Sequence, residues 1–142
     1  MKCVLVSSHK SFESDVKPYL PPEYADPSVV ASSEEFFEFI AQNEDSETLV
    51  IVDSYLGLVS PSDNGPMQLD ENAPSICFVR HVRTQYQHCA VLVLTHPACE
   101  NDGYLAMIVG AHNYHSLQDL SLLGNAIGVT ISSFENIRQM TG

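Results

Sequence analysis

Leu49-Val-Ile-Val52 is the stretch that decides the fold, because it is apolar at every position and ends directly before Asp53. Two further runs have the same character, Cys3-Val-Leu-Val6 and Ala90-Val-Leu-Val-Leu94. Strands with one solvent-facing side show alternating polarity, whereas continuous runs rich in valine are typical of parallel strands covered by helices on both faces. The sequence therefore predicts a parallel sheet built around residues 49–52.

Helical patterns lie between the apolar runs. Ser32-Ser-Glu-Glu35 has the pattern of a capping box at a helix N-terminus. Weaker strand patterns at residues 27–31 and 110–114 bring the predicted alternation to five βα units. The fold class is therefore predicted as α/β, a doubly wound five-stranded parallel sheet in one domain over residues 1–142. Apolar side chains recur at helical spacing at Phe12, Val16 and Leu20; at Phe36, Phe37 and Ile40; at Ile76, Val79, Val82 and Tyr86; at Tyr104, Met107 and Ile108, with Gly110 closing that helix; and from Leu120 to Phe134.

Composition and charge narrow the functional classes. The chain has 142 residues, of which 44% are hydrophobic and 17% charged, which excludes wholesale disorder and coiled coil. Lys plus Arg number 6 against 18 Asp plus Glu, so direct nucleic-acid binding by this domain alone is not expected. No apolar run approaches the length of a membrane span. The four cysteines form no C-x-x-C motif, so we expect a cytoplasmic protein with reduced thiols and no membrane contact.

Polar side chains follow the predicted strands at the points where these end. In doubly wound sheets, the functional crevice lies beyond the carboxyl ends of the strands. This rule selects the candidates Ser7, Ser8, His9, Asp53, Ser54, Thr95, His96, Tyr114 and His115.

Four motifs, which occur along the chain in the order that the family has, together resemble the receiver domain of bacterial response regulators (CheY-like). They are Val50-Ile-Val-Asp53, the turn Pro61-Ser-Asp-Asn-Gly65, Leu92-Val-Leu-Thr95 and Gly110-Ala-His-Asn-Tyr114. The resemblance implies the flavodoxin-like strand order 2-1-3-4-5. It also implies that Asp53 stands at the phosphoacceptor position, with Thr95 and Tyr114 at the phosphate and aromatic switch positions.

The departures from this family are as informative as the matches. The acidic pair that holds Mg²⁺ in the family is replaced by Ser7 and Ser8, and the family's lysine position is Leu117. No register shift restores the lysine, because the chain has none after Lys17. In the family, the metal and the lysine neutralise the phosphoryl charge. Such electrostatic stabilisation of a transition state typically contributes several kcal/mol.

These losses predict a degenerate (pseudo-) receiver, a regulatory protein-interaction module of two-component-type signalling without enzyme activity or cofactor. Asp53 alone would remain as a weak Mg²⁺ ligand. The alternative is a functional atypical receiver that a histidine kinase phosphorylates at Asp53 with Mg²⁺. Each position also has a structural interpretation: Asp53 as a cap of the next turn, Thr95 as a hydrogen-bonding strand-end residue, and Tyr114 as a packing residue.

Other chemistries stay open as alternatives. His96-x-x-Cys99 and His112-x-x-His115, with His9 nearby, offer ligands that suit Zn²⁺, against an interpretation as scattered surface histidines. A flavin-binding protein of the same strand order would use the serine-containing segment 7–11, although the chain has no tryptophan.

Two further expectations concern the surface. The segment from Tyr55 to Pro74 is rich in Gly, Pro and polar residues, so we predict that it is the most mobile part of the chain. Residues 97–140 are predicted to bind a protein partner, most simply a second copy in a weak homodimer. Gly124 and Gly128 either admit a partner backbone there or fit the helix against its own sheet.

Overall fold

The computed structural model describes residues 1–58, 69–97 and 100–141. Its centre is a parallel sheet of five strands in the order β2-β1-β3-β4-β5. This confirms the predicted fold class and the strand order that the resemblance implied. The strands are β1 (Lys2–Val6), β2 (Ser28–Val30), β3 (Thr48–Asp53), β4 (Cys89–Thr95) and β5 (Asn113–Ser116).

Helices cover both faces of this sheet. They are α1 (Lys10–Val16), α2 (Ser33–Gln42), α3 (Pro74–Gln85), α4 (Glu100–Ile108) and α5 (Leu123–Thr141), with 3₁₀ turns at Lys17–Tyr19, Pro22–Tyr24 and Leu117–Leu122. Side chains on one face of the strands pack with α2, α3 and α4, and those on the other face pack with α1 and α5. Every residue of β3 and β4 is buried, which explains the unbroken apolar runs within both strands.

The predicted capping box of α2 is confirmed, except that Glu35 binds the backbone N–H of Ala31 and not that of Ser32. Ser32 is the N-cap, and its Oγ accepts a hydrogen bond from the Glu35 backbone N–H at 3.2 Å. Glu35 reaches back to the backbone N–H of Ala31 at 2.6 Å, one residue before the cap. The first contact satisfies a donor that an uncapped helix start would leave without an acceptor, and the second holds the chain that enters the helix.

Two element boundaries differ from the sequence prediction. Gly110 has φ +116° and closes α4, with the N–H of Ala111 donating to the carbonyl of Ala106 at 3.0 Å. Strand β5 therefore begins at Asn113 instead of at residue 110. The last helix begins at Leu123 instead of near Leu120, because Asp119 has a non-helical backbone (φ −113°, ψ 41°).

The long connection after β3 is described only at its two ends. The turn Pro61–Gly65 lies outside the described residues, as does most of the segment predicted to be mobile. At the described ends, Tyr55, Leu56 and Ala73 are buried, so this connection is anchored in the core on both sides. Within the described ranges, no helix combines the length and apolarity needed to cross a membrane.

Candidate functional site

Strand register brings the ends of β1, β3 and β4 to one edge of the sheet. Val6 pairs with Val52, and Asp53 pairs with Leu94, so the residues that follow these strands meet in space. Asp53 is the last residue of β3 and is only 1% exposed. A buried carboxylate needs partners that compensate for its lost hydration, and the neighbouring strand ends supply them.

Three donors surround the Asp53 carboxylate. The Ser7 hydroxyl donates to Oδ2 at 2.7 Å. The backbone N–H of Tyr55 and the Nε2 atom of His96 lie 2.9 Å and 3.0 Å from Oδ1. Because an ionised carboxylate only accepts hydrogen bonds, His96 must carry its proton on Nε2.

These contacts determine the ionisation of Asp53. Burial by itself raises the pKa of this carboxyl, but the hydrogen bonds from His96, Ser7 and Tyr55 together hold the pKa below its usual value. Asp53 is therefore an anion at neutral pH whose charge is held by protein donors. No other carboxylate contacts it in the part of the chain that the structure describes.

Tyr55 fixes the position of His96, a role that the sequence analysis missed. Its side chain is fully buried, and its ring stacks on the imidazole with centroids 4.2 Å apart. His9 Nε2 lies 3.2 Å from the Tyr55 carbonyl oxygen, and the Gly57 N–H donates to Ser8 Oγ at 2.9 Å. The only signal in the sequence was a large aromatic residue close after the strand-end carboxylate.

The remaining positions implied by the resemblance have no described hydrogen bond to Asp53. Leu117, at the lysine position, packs against the apolar core between the sheet, α1 and α5. Thr95 ends β4, is 3% exposed and pairs with Ser116 of β5. Of the sequence-selected residues, Ser7, Ser8, His9 and His96 are thus the ones seen around Asp53 and its loop. The buried Ser54 instead accepts, through its carbonyl, a hydrogen bond of 2.6 Å from Ser75 Oγ.

Tyr114 packs on α4. An ideal Cβ added to Gly103 would lie 2.2 Å from the Tyr114 ring, so this ring lies directly on the glycine backbone. The Tyr104 ring meets it edge-on with centroids 5.7 Å apart. His115, the next residue, contacts the Asp119 carbonyl through Nε2 at 2.7 Å. Neither Tyr114 nor His115 has a described contact with Asp53.

The arrangement of the histidines does not support the Zn²⁺ alternative. Cys99 lies outside the described residues, and within the described ranges no three metal-ligating side chains come together. His112 precedes β5, is 4% exposed, and accepts the Val91 N–H through Nδ1 at 3.0 Å. His112 is therefore a buried residue that precedes β5, in contrast to the interpretation of it as a surface histidine.

Comparisons with known proteins identify the fold. No protein-family model and no curated protein matches the chain. The signal receiver domain of a putative LuxO repressor protein from Vibrio parahaemolyticus matches with TM-score 0.69 and 15% identity, covering 99% of this chain and 97% of that one. A response regulator receiver domain protein from Clostridium thermocellum matches with TM-score 0.63 and 20% identity, covering 98% of both chains. The beryllofluoride-activated NtrC4 receiver domain dimer matches with TM-score 0.65 and 15% identity, covering 95% and 97%. The chain has the fold of response regulator receiver domains.

Proposed function

We propose that the protein is a degenerate receiver, a non-enzymatic regulatory module that binds a protein partner without depending on phosphorylation of Asp53. The observation that carries this proposal is the set of protein donors that already holds the Asp53 carboxylate. Both of its oxygens already accept hydrogen bonds from Ser7, Tyr55 and His96.

Phosphotransfer to a carboxylate requires one oxygen to attack phosphorus while cations neutralise the charge that accumulates. At this site the metal-holding carboxylates are replaced by Ser7, which is bound to Asp53, and by the exposed Ser8. Mg²⁺ prefers carboxylate and phosphate oxygens in octahedral geometry, and among the described residues Asp53 alone offers a carboxylate at this site. The nearest basic side chain is His96, whose ring is held in place by Tyr55.

We expect incubation with acetyl phosphate or beryllofluoride and Mg²⁺ to leave the protein unmodified. Intact mass should show no phosphoryl group, and the backbone NMR spectrum should not shift around Tyr114.

Mg²⁺ titration should likewise show no site tighter than the millimolar range, since one carboxylate leaves most ligands to water.

The matched control is Asp53→Asn, which keeps the shape and removes the acceptor. A stoichiometric mass gain in the wild type that is lost in Asp53→Asn would overturn the proposal. That outcome would support the alternative, an atypical receiver phosphorylated by a histidine kinase. A micromolar Mg²⁺ site that Asp53→Asn removes would count equally against the proposal.

The face within residues 97–140 is our proposed surface for the partner. On α4, Tyr104, Met107 and Ile108 are 57%, 42% and 79% exposed, an apolar group on a short helix. Gly124 and Gly128 of α5 are exposed, and a Cβ at Gly128 would meet no atom within 4 Å. These glycines therefore do not fit the helix against its own sheet. The matching NtrC4 receiver is a dimer, which makes a second copy the simplest partner to propose.

We expect sedimentation at tens of micromolar to show weak, concentration-dependent self-association. Ile108→Glu should abolish it, because a charge would replace the most exposed apolar side chain of α4. Tyr19→Glu is the matched control, since Tyr19 is 48% exposed on another part of the surface. A strict monomer, or equal association in both variants, would contradict the homodimer.

A further inference from the structure

A second polar cleft lies at the opposite edge of the sheet from Asp53. Its volume is about 430 Å³, within the range of small-molecule sites of about 300–1,000 Å³. It is placed at the amino-terminal ends of β4 and β5, because two of its lining residues directly precede those strands. The side chains that matter for its chemistry are Arg83, His88, His112, Phe134, Ile137 and Arg138.

The cleft is lined by cationic side chains, although the protein as a whole is acidic. The chain has 18 acidic residues and only 6 lysines and arginines, yet two arginines line this cleft. Among its described lining residues there is no carboxylate. Arg138 forms an ion pair with Glu47, so Arg83 is the cation whose charge has no described acidic partner.

Arg83 is held firmly in the wall of the cleft. Its Nε donates to the Gly110 carbonyl at 2.6 Å, the only hydrogen bond that it makes with the described residues. Gly110 has φ +116°, and a Cβ there would lie 3.0 Å from Arg83 Cγ. The glycine turn thus fixes the stem of Arg83 and leaves the Nη groups without a described acceptor. A half-buried guanidinium with free donors is suited to a carboxylate or a phosphate.

His112 adds a buried donor to the same cleft. Its Nδ1 accepts the Val91 N–H, so the neutral ring carries its proton on Nε2. Burial, and next the charge of Arg83, lower the pKa of His112 to about 4, which keeps the ring neutral at pH 7. Its Nε2 is buried and has no hydrogen-bond partner in the described structure, and the same holds for Nε2 of His88. A buried donor without an acceptor is costly, so this position favours a ligand that supplies one.

We propose that this cleft binds a small organic oxyanion, a phosphate ester or a carboxylate. Its anionic group would accept hydrogen bonds from Arg83 and, after a small turn of the buried His112 ring toward the cleft, from His112 Nε2. Its apolar part would lie against Phe134 and Ile137. The site lies at the opposite end of the sheet from Asp53, so it gives the module an input that is independent of the phosphorylation position.

The test titrates the full chain separately with phenyl phosphate and with benzoate, and phenol is the uncharged comparison. Binding is measured by NMR. We expect at least one anion to bind with a dissociation constant of about 1 mM or tighter and to shift the Val91 amide and the His112 ring. Phenol should bind at least about tenfold more weakly. The anion that binds tighter assigns the ligand class.

Arg83→Gln should weaken binding about tenfold or more, whereas Arg80→Gln should not. Arg80 is exposed on the same helix and makes the matched control for charge. Ile137→Glu is a second variant at a 38% exposed position, where a carboxylate should repel the anion without loss of the core. Three results would overturn the proposal. They are the absence of saturable binding of either anion, binding as tight in Arg83→Gln and Ile137→Glu as in the wild type, and chemical-shift changes centred on Ser7 and His96. Unchanged binding in Asp53→Asn would separate this site from the proposed receiver function.

Discussion

Replacing His96 with alanine is expected to destabilise the protein by about 2–3 kcal/mol near neutral pH. The Asp53 carboxylate is 1% exposed and would lose the donor 3.0 Å from Oδ1 while staying out of water. Of the described donors, the Ser7 hydroxyl and the Tyr55 N–H would then remain to hold its charge. The measurement is the free energy of unfolding from urea titrations of wild type and His96→Ala at several pH values.

The pH dependence gives this prediction a second readout. Asp53 has a lowered pKa in the folded wild type, so its contribution to stability is present above the ordinary value of 3.8 and is lost as pH falls through the folded pKa. Without His96, burial is opposed by fewer hydrogen bonds, so the pKa of Asp53 in the folded variant should rise. The variant then takes up its proton first, and the stability gap should narrow as the solution becomes acidic.

His81→Ala is the control, since His81 is an exposed histidine of α3. We expect it to cost no more than about 1 kcal/mol, because its exposed ring lies only against Phe37, with centroids 4.6 Å apart, and close to Tyr86. Coincident unfolding curves for wild type and His96→Ala at pH 7 would mean that the Asp53–His96 contact does not support the fold. A gap of the same size across the acidic range would show that it acts by packing and not by charge.

Gly103→Ala is expected to destabilise the protein by about 1–3 kcal/mol, the usual cost of overpacking. An exposed glycine-to-alanine change in a helix normally stabilises by about 1 kcal/mol, so the sign is the diagnostic result. At Gly103 the new Cβ would lie 2.2–2.5 Å from three atoms of the Tyr114 ring, including Cγ close to the backbone. The ring cannot avoid it by turning about its own axis, so Tyr114 or strand β5 must shift.

Gly128→Ala is the matched control, because that position is exposed and a Cβ there meets nothing within 4 Å. It should stabilise by up to about 1 kcal/mol. A double-mutant cycle completes the test, since Gly103→Ala in a Tyr114→Ala background should lose most of its cost. Stabilisation by Gly103→Ala in the wild-type background would show that Tyr114 does not rest on α4.

The sheet could be predicted because its signal is local. Burial on both faces requires apolar side chains from Leu49 to Val52 in β3 and from Ala90 to Leu94 in β4, and that requirement can be recognised without knowing any partner. The N-cap at Ser32 and the glycine that ends α4 at residue 110 could be predicted for the same reason, because each acts on backbone groups within a few residues. Even the edge of the sheet where Asp53 would lie followed from the topology.

What the sequence by itself determined is therefore the architecture, the strand-end position of Asp53, and the loss of the acidic pair and the lysine. Only the tertiary structure decided how the remaining groups are used. Ser7, Tyr55 and His96 hold one carboxylate, and Tyr114 rests on Gly103. The tertiary structure also decided that His112 and Arg83 share a cleft at the other edge. The physical reason is range, because secondary structure follows from neighbours along the chain, whereas the partner of a polar side chain depends on distances between segments far apart in sequence.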